Sequence, residues 1–140
     1  DFGCVKVLPA NFYQIYFQLL DKDILNDTKR LDKVFRDLRF IYPDDSATDI
    51  LFFKQVFTQL VELLGRPFRS PTFDFAEKSY FTSLYQFGEE IGSMKAFRDS
   101  KKARGVKDAL YINRTYYGLY NLLHELRAEV ETSSYVDFRP

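Results

Sequence analysis

The stretch that decides the fold is SATDILFFKQVFTQLVELLG, residues 46–65. Its apolar residues recur at helical spacing on one face, which carries Ile50, Phe53, Phe57, Leu60, Val61 and Leu64. A second face is also apolar and carries Leu51, Phe52, Val56 and Leu63. Ser46 and Asp49 have the spacing of an N-terminal capping box, and Gly65 is a typical helix end. A helix that is apolar on two faces is expected at the centre of a helical domain.

Helical patterns also occur on both sides of this central helix. The sequence predicts helices over 9–21 and 23–40 before it, and over 77–94 and 106–130 after it. Residues 1–8 are predicted to be extended, because they are short, partly β-branched and end at Leu8-Pro9. We therefore predict an all-α fold: a single domain over residues 1–140, with five helices after a short extended start.

The segment RPFRSPTFDF, residues 66–75, is predicted to be a loop because it has two prolines and no hydrophobic period. Its three phenylalanines are expected to pack against the core. Asp74 and Glu77 are the predicted caps of the fourth helix. The buried side of the last helix is predicted to carry Ala109, Ile112, Tyr116, Leu119, Tyr120, Leu123, Leu126 and Val130.

Composition excludes several function classes. The chain has 20 Lys+Arg and 20 Asp+Glu, and this zero net charge argues against a protein that binds nucleic-acid backbones. One cysteine, Cys4, and one histidine, His124, exclude an internal disulfide and Cys/His zinc sites. No apolar run approaches the ~20 residues that span a bilayer. We expect a cytoplasmic protein, with a peripheral membrane contact as an open alternative.

Asp1-Phe2-Gly3 is the one tripeptide that carries chemistry. In kinase-like enzymes an Asp in this setting holds the magnesium that bridges nucleotide phosphates. A tripeptide alone is weak evidence, so the rest of the chain has to support it. The chain also begins at Asp1 rather than at a methionine, and we expect it to be a piece of a longer polypeptide.

The order of several motifs resembles the ABC1 (AarF/UbiB) family of atypical protein-kinase-like proteins, from the metal-binding Asp-Phe-Gly to the end of the helical lobe. The matching elements are the start DFGCV, the long two-helix stretch after Pro9, Pro67-Phe68, Phe73-Asp74-Phe75, Arg114-x-x-x-Gly118 and Leu126-Arg127-Ala128. The resemblance implies a five-helix C-terminal subdomain of a kinase-like C-lobe. It also implies that the parent protein is an ATP-dependent kinase or ATPase linked to isoprenoid-quinone or lipid metabolism.

Residue by residue, the resemblance implies that Asp1 is a ligand of Mg²⁺ and that Gly3 gives the loop its backbone freedom beside the bound ATP. The family's other catalytic elements precede this motif and are not in the sequence. We therefore expect no catalytic residue here and no activity of the chain alone. Its first partner would be the missing N-terminal kinase-like lobe.

A second function class stays open, in which the chain is a helical module that binds a protein or a membrane and has no nucleotide chemistry. A basic connector is the candidate for anionic lipid, and it carries Lys95, Arg98, Lys101, Lys102, Arg104 and Lys107. The favoured interpretation of that connector is a solvated loop that balances the acidic helices. Faces left uncovered by a missing lobe would also allow a homo-oligomer.

Three further features have an ordinary structural interpretation that we favour. The aromatic residues are expected to form the core rather than a pocket for an isoprenoid tail. Arg114 and Gly118, one helical turn apart, are expected to hold an acidic residue of another helix and to let a helix approach closely. His124 is expected to be a hydrogen-bonded helix residue rather than a general base.

Overall fold

The computed structural model of the chain describes residues 5–100 and 102–132, so the predicted site residues Asp1 and Gly3 lie outside the described residues. The described part is mainly helical, as predicted. Its helices are α1 (Ala10–Tyr16), α2 (Thr28–Asp37), α3 (Ala47–Gly65), α4 (Lys78–Ser93), α5 (Lys95–Asp99) and α6 (Lys107–Glu125). Its two strands are β1 (Thr72–Asp74) and β2 (Glu129–Glu131).

The central helix α3 has the predicted bounds and the predicted cap. The Ser46 Oγ accepts a hydrogen bond from the backbone N–H of Asp49 at 3.1 Å and donates to the Asp49 carboxylate at 2.7 Å. One face of α3 places Phe53 and Phe57 in a core formed with α1 and α2. The adjoining face contributes Val56 to a second core formed with α4 and α6. The prediction that this helix is central is confirmed.

Helix α2 is shorter at both ends than the predicted 23–40. It begins after Asp27, whose carboxylate caps the helix by accepting from the N–H of Arg30 at 3.0 Å. It ends before Arg39, which has a positive φ of 58°. The N–H of Phe40 then donates to the carbonyl of Phe35 at 2.8 Å, which is the hydrogen bond of a Schellman helix end.

The first predicted helix, 9–21, is also shorter. Helix α1 ends at Tyr16 and continues as a 3₁₀ turn over Phe17–Leu20. The predicted core residues of this segment are nevertheless placed correctly, because a 3₁₀ turn keeps Leu19 and Leu20 on the buried side. The predicted end of the helix was therefore wrong, and the predicted buried residues were right.

Two predictions around residues 66–75 and 126–130 were wrong for one common reason. Residues 72–74 pair with residues 129–131 as antiparallel strands, with Phe73 opposite Val130. The last helix therefore ends at Glu125 rather than near 130, and Arg127 turns the chain with a positive φ of 50°. The N–H of Ala128 donates to the carbonyl of Leu123 at 3.0 Å, a second Schellman end. The fold is helical with one small sheet.

The predicted cap of α4 was wrong as well. The Asp74 carboxylate accepts from the N–H of Ala76 at 2.8 Å, so it stabilises the turn that leaves β1 instead of the helix. Glu77 stands at the N-cap position, but its carboxylate accepts from the Ser79 hydroxyl and caps no backbone N–H of the helix. The expectation that Phe73 and Phe75 pack against the core is confirmed, since their side chains are 7% and 1% exposed.

Part of the predicted core lies at the surface. Leu119 and Leu126 on α6 are 45% and 67% exposed, and Leu51 on α3 is 71% exposed. Helix α6 contacts the core along a narrow face that includes Ala109 and Tyr120. Neighbouring elements cover only that face. The leucines on the other side of the helix are exposed to solvent. None of the described helices is long and apolar enough to cross a membrane.

Candidate functional site

The segment that follows the Asp-Phe-Gly tripeptide lies across the start of α6. The Lys6 ammonium is 2.9 Å from the Asp108 carboxylate and 5.4 Å from the centre of the Tyr111 ring. Val5 and Val7 point away from this contact and are 72% and 85% exposed. Within the described residues, no backbone hydrogen bond reaches positions 5–7. Among the described residues, Lys6 therefore makes the contact that holds this segment to α6.

The predicted magnesium and nucleotide residues cannot be assembled into a site from the described part of the chain. Asp1 and Gly3 are outside it, as stated above. In residues 5–100 and 102–132, no group of three or more His, Cys, Asp or Glu side chains is placed to hold a metal ion. Asp1 thus stays the one predicted metal ligand, and it is a prediction of the resemblance alone.

The most developed polar cluster joins the α2–α3 loop to the basic connector. Arg104 makes a two-pronged ion pair with Asp45, at 2.6 and 3.0 Å. The two side chains are 6% and 3% exposed, so this pair is buried. Asp45 also accepts from the backbone N–H of Tyr42 at 2.7 Å. The guanidinium of Arg104 stacks 3.7 Å above the ring centre of Phe53, which joins the cluster to the core.

Neighbouring charges shift the pKa values of three residues in this cluster. The hydrogen bonds from Arg104 hold the pKa of the Asp45 carboxyl below its ordinary value. At the more exposed edge, the Lys102 ammonium is 2.6 Å from the Asp44 carboxylate. This contact lowers the pKa of Asp44 and raises the pKa of Lys102. All four side chains are charged at neutral pH. This suits a structural ion-pair cluster, called the clasp below and formed by Asp44, Asp45, Lys102 and Arg104. It does not suit an acid or base that transfers protons.

The backbone of the connector completes this clasp. The N–H of Gly105 donates to the carbonyl of Arg39 at 2.9 Å. Gly105 has a φ of +87°, and a Cβ at this position would stand 2.8 Å from the ring of Phe40. Glycine is thus required here by conformation and by space. The cluster fixes the connector to the loop between α2 and α3, and its role is structural.

The clasp also bears on the lipid alternative. Lys102 and Arg104 are paired with Asp44 and Asp45, and the Lys95 ammonium lies 3.8 Å from the Asp99 carboxylate. Arg98 and Lys107 form no ion pair with a described carboxylate, so three of the five described cations are matched, which lowers the positive potential of the connector towards an anionic surface. The prediction of a loop was in part wrong, because residues 95–99 of the connector form α5, and the pairing of Lys95, Lys102 and Arg104 favours a structural role over a lipid site.

Because the pKa of Asp45 is lowered in the folded chain, this carboxylate stabilises the fold above the unfolded pKa of about 4. That contribution is lost as the pH falls through the folded value. Between pH 7 and pH 2 we expect the free energy of unfolding to fall less in Asp45→Asn than in the wild type. Urea denaturation at each pH measures this free energy. Asp23→Asn, an exposed turn residue, is the control, and equal acid sensitivity of both variants would contradict the assignment.

Two tyrosine hydroxyls are buried against the end of α3. Tyr80 donates to the carbonyl of Leu63 at 2.9 Å, and Tyr120 donates to the carbonyl of Leu64 at 2.7 Å. Burial raises the pKa of both phenols. Helix ends leave carbonyls without intrahelical partners, and these two hydroxyls satisfy them. They tie α4 and α6 to α3 and have no access to a substrate.

The single histidine has the ordinary role that the sequence favoured. The Nδ1–H of His124 donates to the carbonyl of Phe75 at 2.6 Å. Its ring stacks on Phe81 with 3.9 Å between ring centres. The contact joins α6 to the residue after β1. These two contacts give the ring a structural role at this junction.

The aromatic residues form the core, as expected. The rings of Phe40 and Phe57 stack at 4.1 Å, and Phe73 packs edge-on against Tyr80 at 4.9 Å. Between α4 and α6 there is an open depression of about 430 Å³. Its lining combines Phe81, Leu84, Tyr85 and Tyr117 with Gln86, Glu89 and Asn121, and it is an open depression, unlike the enclosed apolar channel that suits an isoprenoid tail.

Arg114 and Gly118 do not have the predicted intramolecular roles. Within the described residues Arg114 forms no ion pair and lies exposed on α6. A Cβ at Gly118 would meet no atom within 4 Å. No helix of the described chain approaches this face, so the expectation of an acidic partner and a close helix contact was wrong within the chain.

Comparison of the chain with protein-family models, with curated proteins and with solved structures found no match. The resemblance to the kinase-like family therefore depends on the motifs quoted from the sequence, and it stays a prediction.

Proposed function

We propose that the chain is the C-terminal helical lobe of a kinase-like protein of the ABC1 type, whose parent binds Mg-ATP. The observation that supports this most is the contact between two motif segments that are about fifty residues apart in the sequence. The N–H of Phe75 donates to the carbonyl of Ala128 at 2.9 Å, and Phe73 pairs with Val130. Phe73-Asp74-Phe75 and Leu126-Arg127-Ala128 thus form one structural unit, which gives both motifs a shared structural role.

In this proposal Asp1 supplies a carboxylate oxygen to the magnesium ion, and Gly3 supplies backbone freedom beside the nucleotide. Magnesium, when bound, neutralises charge on the phosphates during phosphoryl transfer. Lys6 acts as a positioning residue, because its ion pair with Asp108 holds the segment after the tripeptide against α6. The chain supplies a platform and a metal ligand, and the remaining catalytic groups belong to the rest of the polypeptide.

The exposed edge of residues 5–7 supports a partner lobe. A segment with two exposed valines, whose backbone makes no hydrogen bond within the described residues, is a surface that a neighbouring strand can cover. We propose that the N-terminal part of the kinase-like domain covers it. The biological setting, isoprenoid-quinone or lipid metabolism, is proposed from the resemblance alone.

The test is a thermal-shift titration with Mg-ATP on the natural polypeptide that contains this chain. We expect magnesium-dependent stabilisation of the wild type and loss of that stabilisation in Asp1→Asn, because a ligand that binds the native state raises its melting temperature. Asp23→Asn, an exposed turn residue, is the matched control and should respond like the wild type. An equal response in Asp1→Asn would show that Asp1 holds no metal.

The exposed leucines of α6 favour the second function class, a protein-interaction module. Leu122 and Leu126 are 56% and 67% exposed, and they lie on one side of the helix. Apolar residues grouped in this way mark interaction surfaces more often than scattered ones do. This role would be indifferent to Asp1 and is compatible with the nucleotide-binding proposal.

A further inference from the structure

Helix α6 has an outer face that the described elements leave exposed, apart from the Lys6 ammonium, which lies 5.4 Å from the centre of the Tyr111 ring at one end of the face. We define the α6 outer face by Tyr111, Thr115, Gly118, Leu119, Leu122 and Leu126. At 3.6 residues per turn these positions form one band, opposite the buried Ala109 and Tyr120. All six residues are exposed. The band is apolar apart from Thr115 and the Tyr111 hydroxyl.

Gly118 lies halfway along the length of this face, on one of its two edges. Glycine inside a helix is destabilising relative to alanine. In this chain that cost has no internal cause, since Gly118 has an ordinary helical backbone and open space beside its Cα. A missing side chain halfway along an apolar band lets a second helix approach closely at that level.

Two charges flank the face on the same side. Arg114 and Glu125 are eleven residues apart, about three helical turns, and they follow one edge of the band. Both are exposed, and neither forms an ion pair within the described residues. They stand on opposite sides of Gly118 along the helix. The face therefore has a positive end and a negative end along one edge.

This arrangement is complementary to itself. If a second α6 lies antiparallel and crosses at Gly118, the same edges of the two helices face each other. Arg114 of one copy then comes within about 5 Å, measured along the helix axis, of the level of Glu125 of the other copy. A long arginine side chain spans such an offset. Two equivalent pairs form, as a twofold axis requires.

We propose that two copies of this chain associate through the α6 outer face, antiparallel, with Gly118 at the crossing point and Arg114 of each copy paired with Glu125 of the other. The face is about 22 Å long and about 10 Å wide. This is smaller than the ~800 Å² per partner of a standard interface. The association is therefore weak and depends on concentration. It needs no nucleotide, so its test is independent of the test of Asp1.

The experiment is sedimentation velocity of the 140-residue chain and of its charge-reversed variants. Each is measured over about a hundredfold range of protein concentration. We expect the wild type to shift from monomer towards dimer. Arg114→Glu and Glu125→Arg should each weaken self-association about tenfold, because two attractive pairs become two like-charge contacts. Lys22→Glu, an exposed residue away from α6, is the matched control and should associate like the wild type.

The deciding experiments combine the two charge-reversing substitutions. A mixture of the Arg114→Glu and Glu125→Arg chains should associate as well as the wild type, since both cross-pairs become attractive. The double variant Arg114→Glu/Glu125→Arg should also regain self-association. Circular dichroism of each variant separates loss of association from loss of folding. The proposal is overturned if the wild type stays monomeric at all concentrations, or if the mixture and the double variant associate no better than the single variants.

Discussion

Replacing Asp45 with alanine lowers the expected free energy of unfolding by about 3–5 kcal/mol, which is the usual cost of leaving one partner of a buried ion pair alone. The guanidinium of Arg104 is 6% exposed and stacks on Phe53, so it cannot turn to water when its carboxylate is removed. The carboxylate also accepts from the N–H of Tyr42, and this donor would lose its acceptor. Urea denaturation at pH 7 measures the change.

Two further variants make this result specific. Asp45→Ala combined with Arg104→Met removes both charges, and we expect the double variant to regain much of the lost stability. Asp44→Ala removes the exposed neighbour that pairs with Lys102 and should change stability little, because exposed ion pairs contribute little. If Asp44→Ala were as costly as Asp45→Ala, the buried clasp would not be the source of the effect.

The second large effect is expected for Phe57→Ala, a loss of about 3–5 kcal/mol. Phe57 is 6% exposed and stacks on Phe40 at 4.1 Å between ring centres. It also packs edge-on against Phe97 at 6.1 Å, so its removal leaves a cavity between α3, the end of α2 and α5. The same denaturation experiment measures it.

The matched control is Leu51→Ala on the same helix. Leu51 has the apolar character that the sequence pattern treats as core, yet it is 71% exposed. We therefore expect a change within about 0.5 kcal/mol, as for other surface substitutions. Comparable losses for Phe57→Ala and Leu51→Ala would mean that α3 is covered on both faces, contrary to the structure.

The contrast between these two residues shows what the sequence predicted well. The bounds of α3 follow from Ser46 at its start and Gly65 at its end, which are local signals. The buried position of Phe57 follows from helical periodicity. The exposure of Leu51 does not, because periodicity tells which residues share a face but not which faces other elements cover.

Helix ends and strand pairing show where local patterns fail. Arg39 and Arg127 have the left-handed backbone that helix ends usually give to glycine, so composition carried no signal at either place. Strands β1 and β2 have three residues each and are more than fifty residues apart. So short a segment has no usable period, and its partner is set by the packing of α4 and α6.

The pairing of Asp45 with Arg104 was also not predictable from local sequence patterns. Asp45 belongs to a turn and Arg104 to a basic connector, and each had an adequate local explanation as a surface charge. Their pairing depends on Gly105 bringing the connector against Phe40. For the candidate nucleotide site, the sequence supplied Asp1 and Gly3 through a resemblance, and the described residues add Lys6 and Asp108 as the contact that positions the adjoining segment.

The measurement that tests the central claim most directly is calorimetric titration of Mg-ATP into the natural polypeptide that contains this chain, in wild-type form and as Asp1→Asn. The account predicts saturable binding that requires magnesium in the wild type, and affinity at least about tenfold weaker in the variant, a difference of about 1.4 kcal/mol. Asp23→Asn should bind as the wild type does. Equal affinity of the wild type and Asp1→Asn, with or without magnesium, would contradict the assignment of Asp1 as the metal ligand.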